Sequence, residues 1–277
     1  MAAPFSIDED VYDSEFIMAH EKREPRFIET VTRGTPTKGG GFVFSISNTD
    51  GVQGSSRSPG GELNYGRGRV NSVRADLKDC YVPVSYDEFE IFKSAADLRK
   101  KAIDDTTSVL SRKRDAKIIE AFNQATLEDQ AAAAALTPAR IDTALKILTD
   151  NEAIDGSMMP CGALTPAGFM QLKKFDEFSN ADFIVDTDKP YANPRMKFNW
   201  NGVHWIIDTQ LPGRGTANSN VFIYTKDSIG YESTEPTKYL GWEGKHDLYN
   251  AWAKVYHDSV LLLETGVVRL PVDDTAS

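Results

Sequence analysis

Residues 85–125 read SYDEFEIFKSAADLRKKAIDDTTSVLSRKRDAKIIEAFNQA, without a glycine or a proline. Apolar side chains return every three or four positions, at Phe89, Phe92, Ala95, Ala96, Ala102, Ile103, Val109, Leu110, Ile118, Ile119 and Phe122. That is the period of a helix with one buried face. Ser85 predicts its N-cap, and Glu88 three residues on completes a capping box. About 37 helical residues at about 1.5 Å each reach about 55 Å, longer than a compact domain of this size is wide. The stretch therefore predicts a strut with other elements hung along it. It carries no recognisable catalytic motif.

Composition narrows the class. With 277 residues, 40% hydrophobic and 26% charged, the chain has the make-up of a soluble globular protein of one large domain or two modest ones. Lys and Arg number 31 against 41 Asp and Glu, a net charge of −10. Dedicated nucleic-acid binders are usually basic, so the balance argues against that role while leaving room for a local basic patch. Cys80 and Cys161 lie far apart without metal-ligand spacing and predict buried, reduced thiols. No apolar run approaches the roughly 18 residues of a membrane helix, and the acidic start MAAPFSIDEDVYD is unlike a signal peptide. The expectation is a soluble, intracellular chain that needs no membrane.

Upstream of the strut, Phe16, Ile17, Phe27 and Ile28 supply two apolar pairs, and Pro25 prevents one continuous helix between them. An N-terminal arm, tied down where those pairs land, is the expectation. From Gly34 to Val70 there are ten glycines and few large apolar residues. FVFSIS (42–47) alternates as a strand does, with Glu62–Tyr65 or Val70–Val73 as its return partner, and residues 48–61 between are turn chemistry. A long two-stranded loop follows, and a loop that long without a core is uncommon unless it binds something.

Downstream, Thr137-Pro138 and Thr165-Pro166 each place an N-cap before a proline. With Gly162-Ala163-Leu164 between them, 137–176 reads helix, strand, helix. Residues 181–211 are strand-rich, and Asn201-Gly202 marks a hairpin between MKFNW and VHWII. VFIYT (221–225) is a further strand, and TEPTKYLGWEGK (234–245) reads as a loop. Leu248–Val260 and Leu261–Val272 are strand-type runs broken at Glu264-Thr265-Gly266, and DDTAS reads as a free tail.

No chemical constellation stands out. His20, His204, His246 and His257 occur singly, without metal-binding spacing. GxSxG and GxxxxGK[ST] are absent, and Gly66-Arg67-Gly68 and Gly213-Arg214-Gly215 lack the third glycine of a dinucleotide site. Asp104 and Asp105 sit among basic residues, as on a solvated helix face. The four tryptophans fall in the strand-rich half, as core or interface aromatics would. Arg57, Arg67, Arg69 and Arg74 gather positive charge in and beside the glycine-rich loop, while the N-terminal fifteen residues and the strut are rich in carboxylates. Opposite charges on separate projections favour association between copies.

Taken in order, these segments resemble the tailed-phage major capsid protein, the Hong Kong 97-like fold. The glycine-rich extension looks like that family's E-loop. SVLSRKRDAKIIEAF, with Arg112, Asp115 and Ile118-Ile119, is similar to the close of its spine helix. LTPARIDTALKILTDN, CGALTPAGFMQLKKF and WNGVHWIIDTQLP resemble the axial domain. SNVFIYTKDSIGY and HDLYNAWAKVYHDSVLLLETGVVRL resemble the closing strands. The resemblance runs from about Phe27 to Val272.

It implies an α+β capsid fold: an N-terminal arm at 1–33, an extended two-stranded loop at 34–73, a peripheral domain with the spine helix at 74–130 and 243–277, and an axial domain at 131–242. It implies hexamers and pentamers tiling an icosahedral shell around packaged double-stranded DNA, within the virion and assembled in the host cytoplasm. A portal and in some members a decoration protein are the further partners; no enzyme activity, cofactor or metal is implied. Phe16, Ile17, Phe27, Arg57, Arg67, Arg69 and Arg74 are the expected contacts between subunits. In two respects the chain departs from members of that family. Residues 47–62 hold no lysine, with Lys38 only at the base, so no isopeptide cross-link is expected. Only about thirty residues precede the extension, too few for a fused scaffolding domain, so a separate scaffolding protein is expected. An encapsulin-like compartment is the nearest alternative, and an enzyme with a site around His204, Asp208 and Arg214 the remoter one.

Overall fold

The computed structural model describes residues 24–37, 41–48, 69–87, 89, 98–129, 132–154, 156, 158–175, 178 and 196–276. Three sheets organise them. Strands β1 (Thr35–Thr37), β2 (Gly41–Asn48) and β3 (Arg69–Asp76) form an antiparallel sheet in that order. Phe44 faces Val73 and Ser47 faces Val70, so the return partner of FVFSIS is Val70–Val73. Glu62–Tyr65 and the expected turn lie outside the described residues. Alternate side chains Phe42 and Phe44, with Ala75, bury one face of this hairpin at its root.

The second sheet is built on a fourteen-residue strand. β4 (Lys78–Asp87), β10 (Ile229–Ser233) and β11 (Thr237–Glu243) all pair antiparallel with β12 (Leu248–Leu261). Along β12 every second side chain is buried, at Ala251, Ala253, Val255, His257 and Ser259. This inner face meets helix α1 (Leu98–Phe122), where Leu110 clusters with Val82, Ala253 and Val255. Pro83 sits opposite Trp252 within β4. Among the described residues β4 has a partner on one side only, the edge position to which strand prolines are confined.

The third sheet has six strands, in the order β5 (Leu127–Glu128), β13 (Val267–Val272), β9 (Ser219–Tyr224), β6 (Cys161–Leu164), β8 (Val203–Ile207) and β7 (Lys197–Trp200). Val221, Ile223, Val203, Trp205, Val268 and Leu270 pack with helices α2 (Pro138–Asp150) and α3 (Pro166–Leu172) through Ile141, Ala144, Leu148, Phe169 and Leu172. Phe222, Tyr224, Ala163, Ile206 and Val267 point the other way, onto Ile118, Ile119 and Phe122 of α1 and Phe27 and Val31 of the arm. A sheet covered on both faces reads as continuous apolar runs, which is why VFIY and HWII lack alternation. The two layers also fix the smallest residue: a Cβ on Gly162 would lie 2.4 Å from the Trp205 ring. The expected hairpin closes through Asn201 and Gly202, with φ of 49° and 69°, the pattern of a type I′ turn. Thr165 caps α3 by accepting the Gly168 N–H at 3.0 Å, whereas Thr137 precedes α2 without a side-chain bond.

Several expectations are corrected. Ser85 does not cap the long helix: it lies in β4 opposite Asn250, and that ladder continues to Asp87 opposite Leu248. Long-range pairing overrides the local capping signal, and Glu88 lies outside the described residues. Asp87 Oδ1 instead accepts the Phe89 N–H at 2.8 Å. The described helix has 25 residues, about 37 Å at about 1.5 Å each. Residues 237–243, read as loop, form β11, an edge strand whose side chains are nearly all exposed and so show no burial pattern. Residues 273–276 are no free tail. Asp274 accepts from the Thr165 and Ser219 hydroxyls, each at 2.8 Å, and from the Gly215 N–H at 2.8 Å. Gln171 donates to the Asp273 and Ala276 carbonyls. Asp104 and Asp105 are half-buried, and Asp105 accepts from the Tyr86 phenol at 3.1 Å. The expected boundaries at 130 and 242 also fail to follow the sheets: β10 and β11 join β12 and β4, while β13 lies inside the six-stranded sheet.

Candidate assembly surfaces

The arm is fastened where α1 meets the six-stranded sheet. Asp115 is fully buried on α1. It accepts the Arg26 N–H at 2.8 and 3.1 Å and the Phe27 N–H at 3.2 Å. A buried carboxylate is costly unless donors satisfy it, and these main-chain N–H groups help to do so. The Arg26 guanidinium donates to the Ile207 carbonyl at 2.5 Å and lies 3.6 Å from the buried Asp208. Phe27 meets Phe122 edge to face at 5.6 Å. Thr30 donates to the Phe27 carbonyl and sits 2.6 Å from the Tyr224 phenol, whose pKa burial raises well above its usual value. Thr32 exchanges main-chain bonds with β10, and Arg33 pairs with Glu232 at 3.1 Å while lying over the Tyr231 ring. Lys197 reaches Glu29 at 2.9 Å and holds its carboxyl below the usual range.

Phe27, expected at a contact between subunits, therefore has no surface left to offer: it is 0% exposed inside its own chain. Arg74 is exposed on β3 and pairs with Asp76 at 2.9 Å. Arg69 is the first residue of β3, opposite Asn48. Phe16, Ile17, Arg57 and Arg67 lie outside the described residues. Among the described ones, then, only Arg69 and Arg74 share an element. The polar lock at Asp115 was missed because an aspartate within RKRD reads as one charge among several.

The four-stranded sheet leaves an aromatic face open. Tyr239 stacks on Trp252 at 5.3 Å, Tyr81 approaches Trp252 at 6.2 Å, and Lys254 lies over both Tyr81 and Tyr256. The Lys254 ammonium, by its bond to Tyr256, lowers that phenol's pKa. On the opposite side of β11, in register with Tyr249, Trp242 is 56% exposed, its indole N–H donating to Asp247 at 3.2 Å across the β11–β12 turn. Exposed apolar surface of this kind marks places where something else docks. Reading 234–245 as a loop hid it.

Titratable groups elsewhere serve packing. His257 is buried against Tyr231, 3.4 Å from its phenol, and burial together with Arg114 and Lys117 lowers its pKa to about 4. Arg114 donates to Tyr231 at 3.0 Å and Ser233 at 2.6 Å, and Lys117 bridges Glu120 and Asp258. These bonds hold α1 onto β10 and β12. Burial lifts the Cys161 thiol to about 11, and both cysteines are free. Of the trio His204, Asp208 and Arg214, the histidine faces Asn199 at 2.6 Å, the aspartate accepts the Gln210 N–H and faces Arg26, and Arg214 lies on an exposed loop. A cleft of about 250 Å³ between Glu152, Met158, Lys226, Asp227 and Leu263 has, among the described residues, no histidine or cysteine in its lining. Among the described residues no group of three or more His, Cys, Asp or Glu could hold a metal, and no helix is long and apolar enough to cross a membrane.

Comparison with solved structures places this fold. The capsid of cyanophage P-SCSP1u superposes with a TM-score of 0.69 at 15% identity, covering 97% of this chain and 94% of that one. Mycobacterium phage Che8 gives 0.68 at 14%, covering 95% and 96%. The SrpI encapsulin of Synechococcus elongatus gives 0.61 at 13%, covering 90% and 88%. At such identities the likeness is one of fold. No curated protein matches. The family model described as phage capsid protein matches residues 9–271. An arm locked onto its own core and an open aromatic sheet face are thus features of a structural subunit, and the chain belongs to the phage capsid protein family.

Proposed function

We propose that this chain is a major capsid protein, assembling as hexamers and pentamers into an icosahedral shell that encloses packaged double-stranded phage DNA. The observation that carries the proposal is the contrast within one subunit: the six-stranded sheet is covered on both faces, while the outer face of the four-stranded sheet is left open. In this reading α1 is the spine, and with the four-stranded sheet it forms the peripheral domain. The six-stranded sheet with α2 and α3 forms the axial domain, and the hairpin 34–76 is the E-loop. Arg57, Arg67, Arg69 and Arg74 on that hairpin, and Phe16 and Ile17 on the arm, meet neighbouring copies. A separate scaffolding protein guides assembly in the host cytoplasm, and a portal admits DNA. The net charge of −10 suits a wall that must not hold DNA tightly.

Negative-stain microscopy of the purified protein tests this directly. Rings and closed shells are expected, and small uniform particles overturn the proposal. DNA inside particles from infected cells separates a phage shell from an encapsulin-like compartment, where a protein cargo would be found instead. With no lysine in residues 47–62, mature particles run as a monomer band on a denaturing gel; covalent ladders would refute the absence of an isopeptide bond.

A further inference from the structure

The arm's attachment holds more than the burial of one phenylalanine requires. Asp115 is bound by main-chain N–H groups of two successive residues, Arg26 and Phe27. Main-chain donors fix the path of a chain, whatever side chains it bears. The Arg26 side chain runs to a second element, the end of β8, through the Ile207 carbonyl and Asp208. The Phe27 ring is a third point, set against Phe122. Three anchors on different sides of one dipeptide fix its orientation as well as its position. Thr30 and Thr32 continue the attachment to β9 and β10. Upstream, residues 1–23 carry six carboxylates and the Phe16-Ile17 pair.

We propose that Asp115 closes this strap in the free subunit and so presets the point and heading from which residues 1–23 leave toward a neighbouring copy, making Asp115 a positioning residue for shell assembly. The inference rests on the capsid reading for its destination but not for the closed strap itself. Phe27 alone could hold the chain in place. It could not fix a heading, because one ring in one pocket leaves the main chain free to pivot. Asp115 removes that freedom.

Hydrogen exchange on the full-length chain tests it, comparing unassembled subunits with shells. The segment containing Arg26 and Phe27 is expected to be protected in both. Fast exchange in free subunits, with protection gained only in shells, overturns the proposal. Asp115→Asn keeps the shape but turns one acceptor into a donor facing N–H groups. It is expected to speed exchange at residues 26–27 on the order of tenfold or more and to broaden the distribution of shell sizes. Asp115→Glu, which keeps both acceptor oxygens, should restore uniform shells. Wild-type shell size and yield with Asp115→Asn overturns the positioning role. If Asp115→Asn fails to fold, exchange in the wild-type subunit still decides. If the wild type forms no shells at all, the capsid reading fails while the strap measurement remains readable.

Discussion

Strands β9 and β11 lie in the same subunit and represent opposite solutions. In β9 five of six side chains are buried, and consecutive residues serve two different cores. In β11 none is buried, although the strand carries a tyrosine, a leucine and a tryptophan. The six-stranded sheet is finished within one chain. The four-stranded sheet is finished on the α1 side only, and its other face presents Tyr81, Trp252 and Tyr239 to the outside. Subunit stability should therefore reside in the first sheet, with surface for neighbours in the second.

Trp205→Ala is the severest test of that division. The side chain is fully buried, seated over Gly162, with its indole N–H donating to the Trp200 carbonyl at 3.2 Å. Truncation should cost about 3–5 kcal/mol, read from urea midpoints, and a loss below about 1 kcal/mol would break the comparison. His257 tests the seam where α1 joins the four-stranded sheet. Its pKa is about 4 in the folded chain against 6.5 for an unperturbed histidine. Between those values the unfolded chain takes up a proton that the folded chain refuses. Stability present above pH 6.5 is therefore lost as pH falls toward 4, and this contribution levels off below. His257→Gln should flatten that part of the stability–pH curve, removing about 2 kcal/mol of its fall once solvent screening is allowed for. A wild-type slope unchanged in the variant would show that the seam titrates elsewhere.

Residues 273–276 offer a middle-sized test. Asp274→Ala removes an acceptor shared by two hydroxyls and one main-chain N–H, so a loss of about 1–3 kcal/mol and faster proteolysis of the 212–218 loop are expected. No change would return this segment to the status of a tail.

What the sequence disclosed follows the same division. Strands that feed a core announced themselves: VFIY and HWII by apolar content, Asn201-Gly202 by turn chemistry, Thr165-Pro166 by capping. Helix α1 was legible from Ile118, Ile119 and Phe122, whose spacing matches one buried face. Its start was misread because Ser85 and Glu88 form a good local signal, while the partner that draws Ser85 into a strand, Asn250, lies far along the chain. β11 was illegible because an edge strand with no buried side chain leaves no period to find. The Asp115 lock was equally hidden: it holds main-chain N–H groups of Arg26 and Phe27, which no side-chain pattern encodes. Asp274 looked like tail chemistry because its partners Thr165, Gly215 and Ser219 lie 55 to 109 residues back along the chain.

The smallest expected effects on the isolated subunit sharpen the comparison most. Trp252→Ala removes two aromatic contacts on the open face and should cost about 0.5–1.5 kcal/mol. Trp242→Ala removes a side chain that is 56% exposed and should change subunit stability by less than about 0.5 kcal/mol. On thermodynamic grounds alone Trp242 is dispensable, yet an indole left half in water on an edge strand gains most from being covered by a second surface. If the four-stranded sheet meets neighbours, Trp242→Ala should lower the yield of shells, followed by light scattering, while leaving the urea midpoint where it was. A variant that assembles as well as it folds would make the β11 edge mere solvated surface, and the burden of association would pass to the outer face of the sheet, the glycine-rich hairpin and the arm.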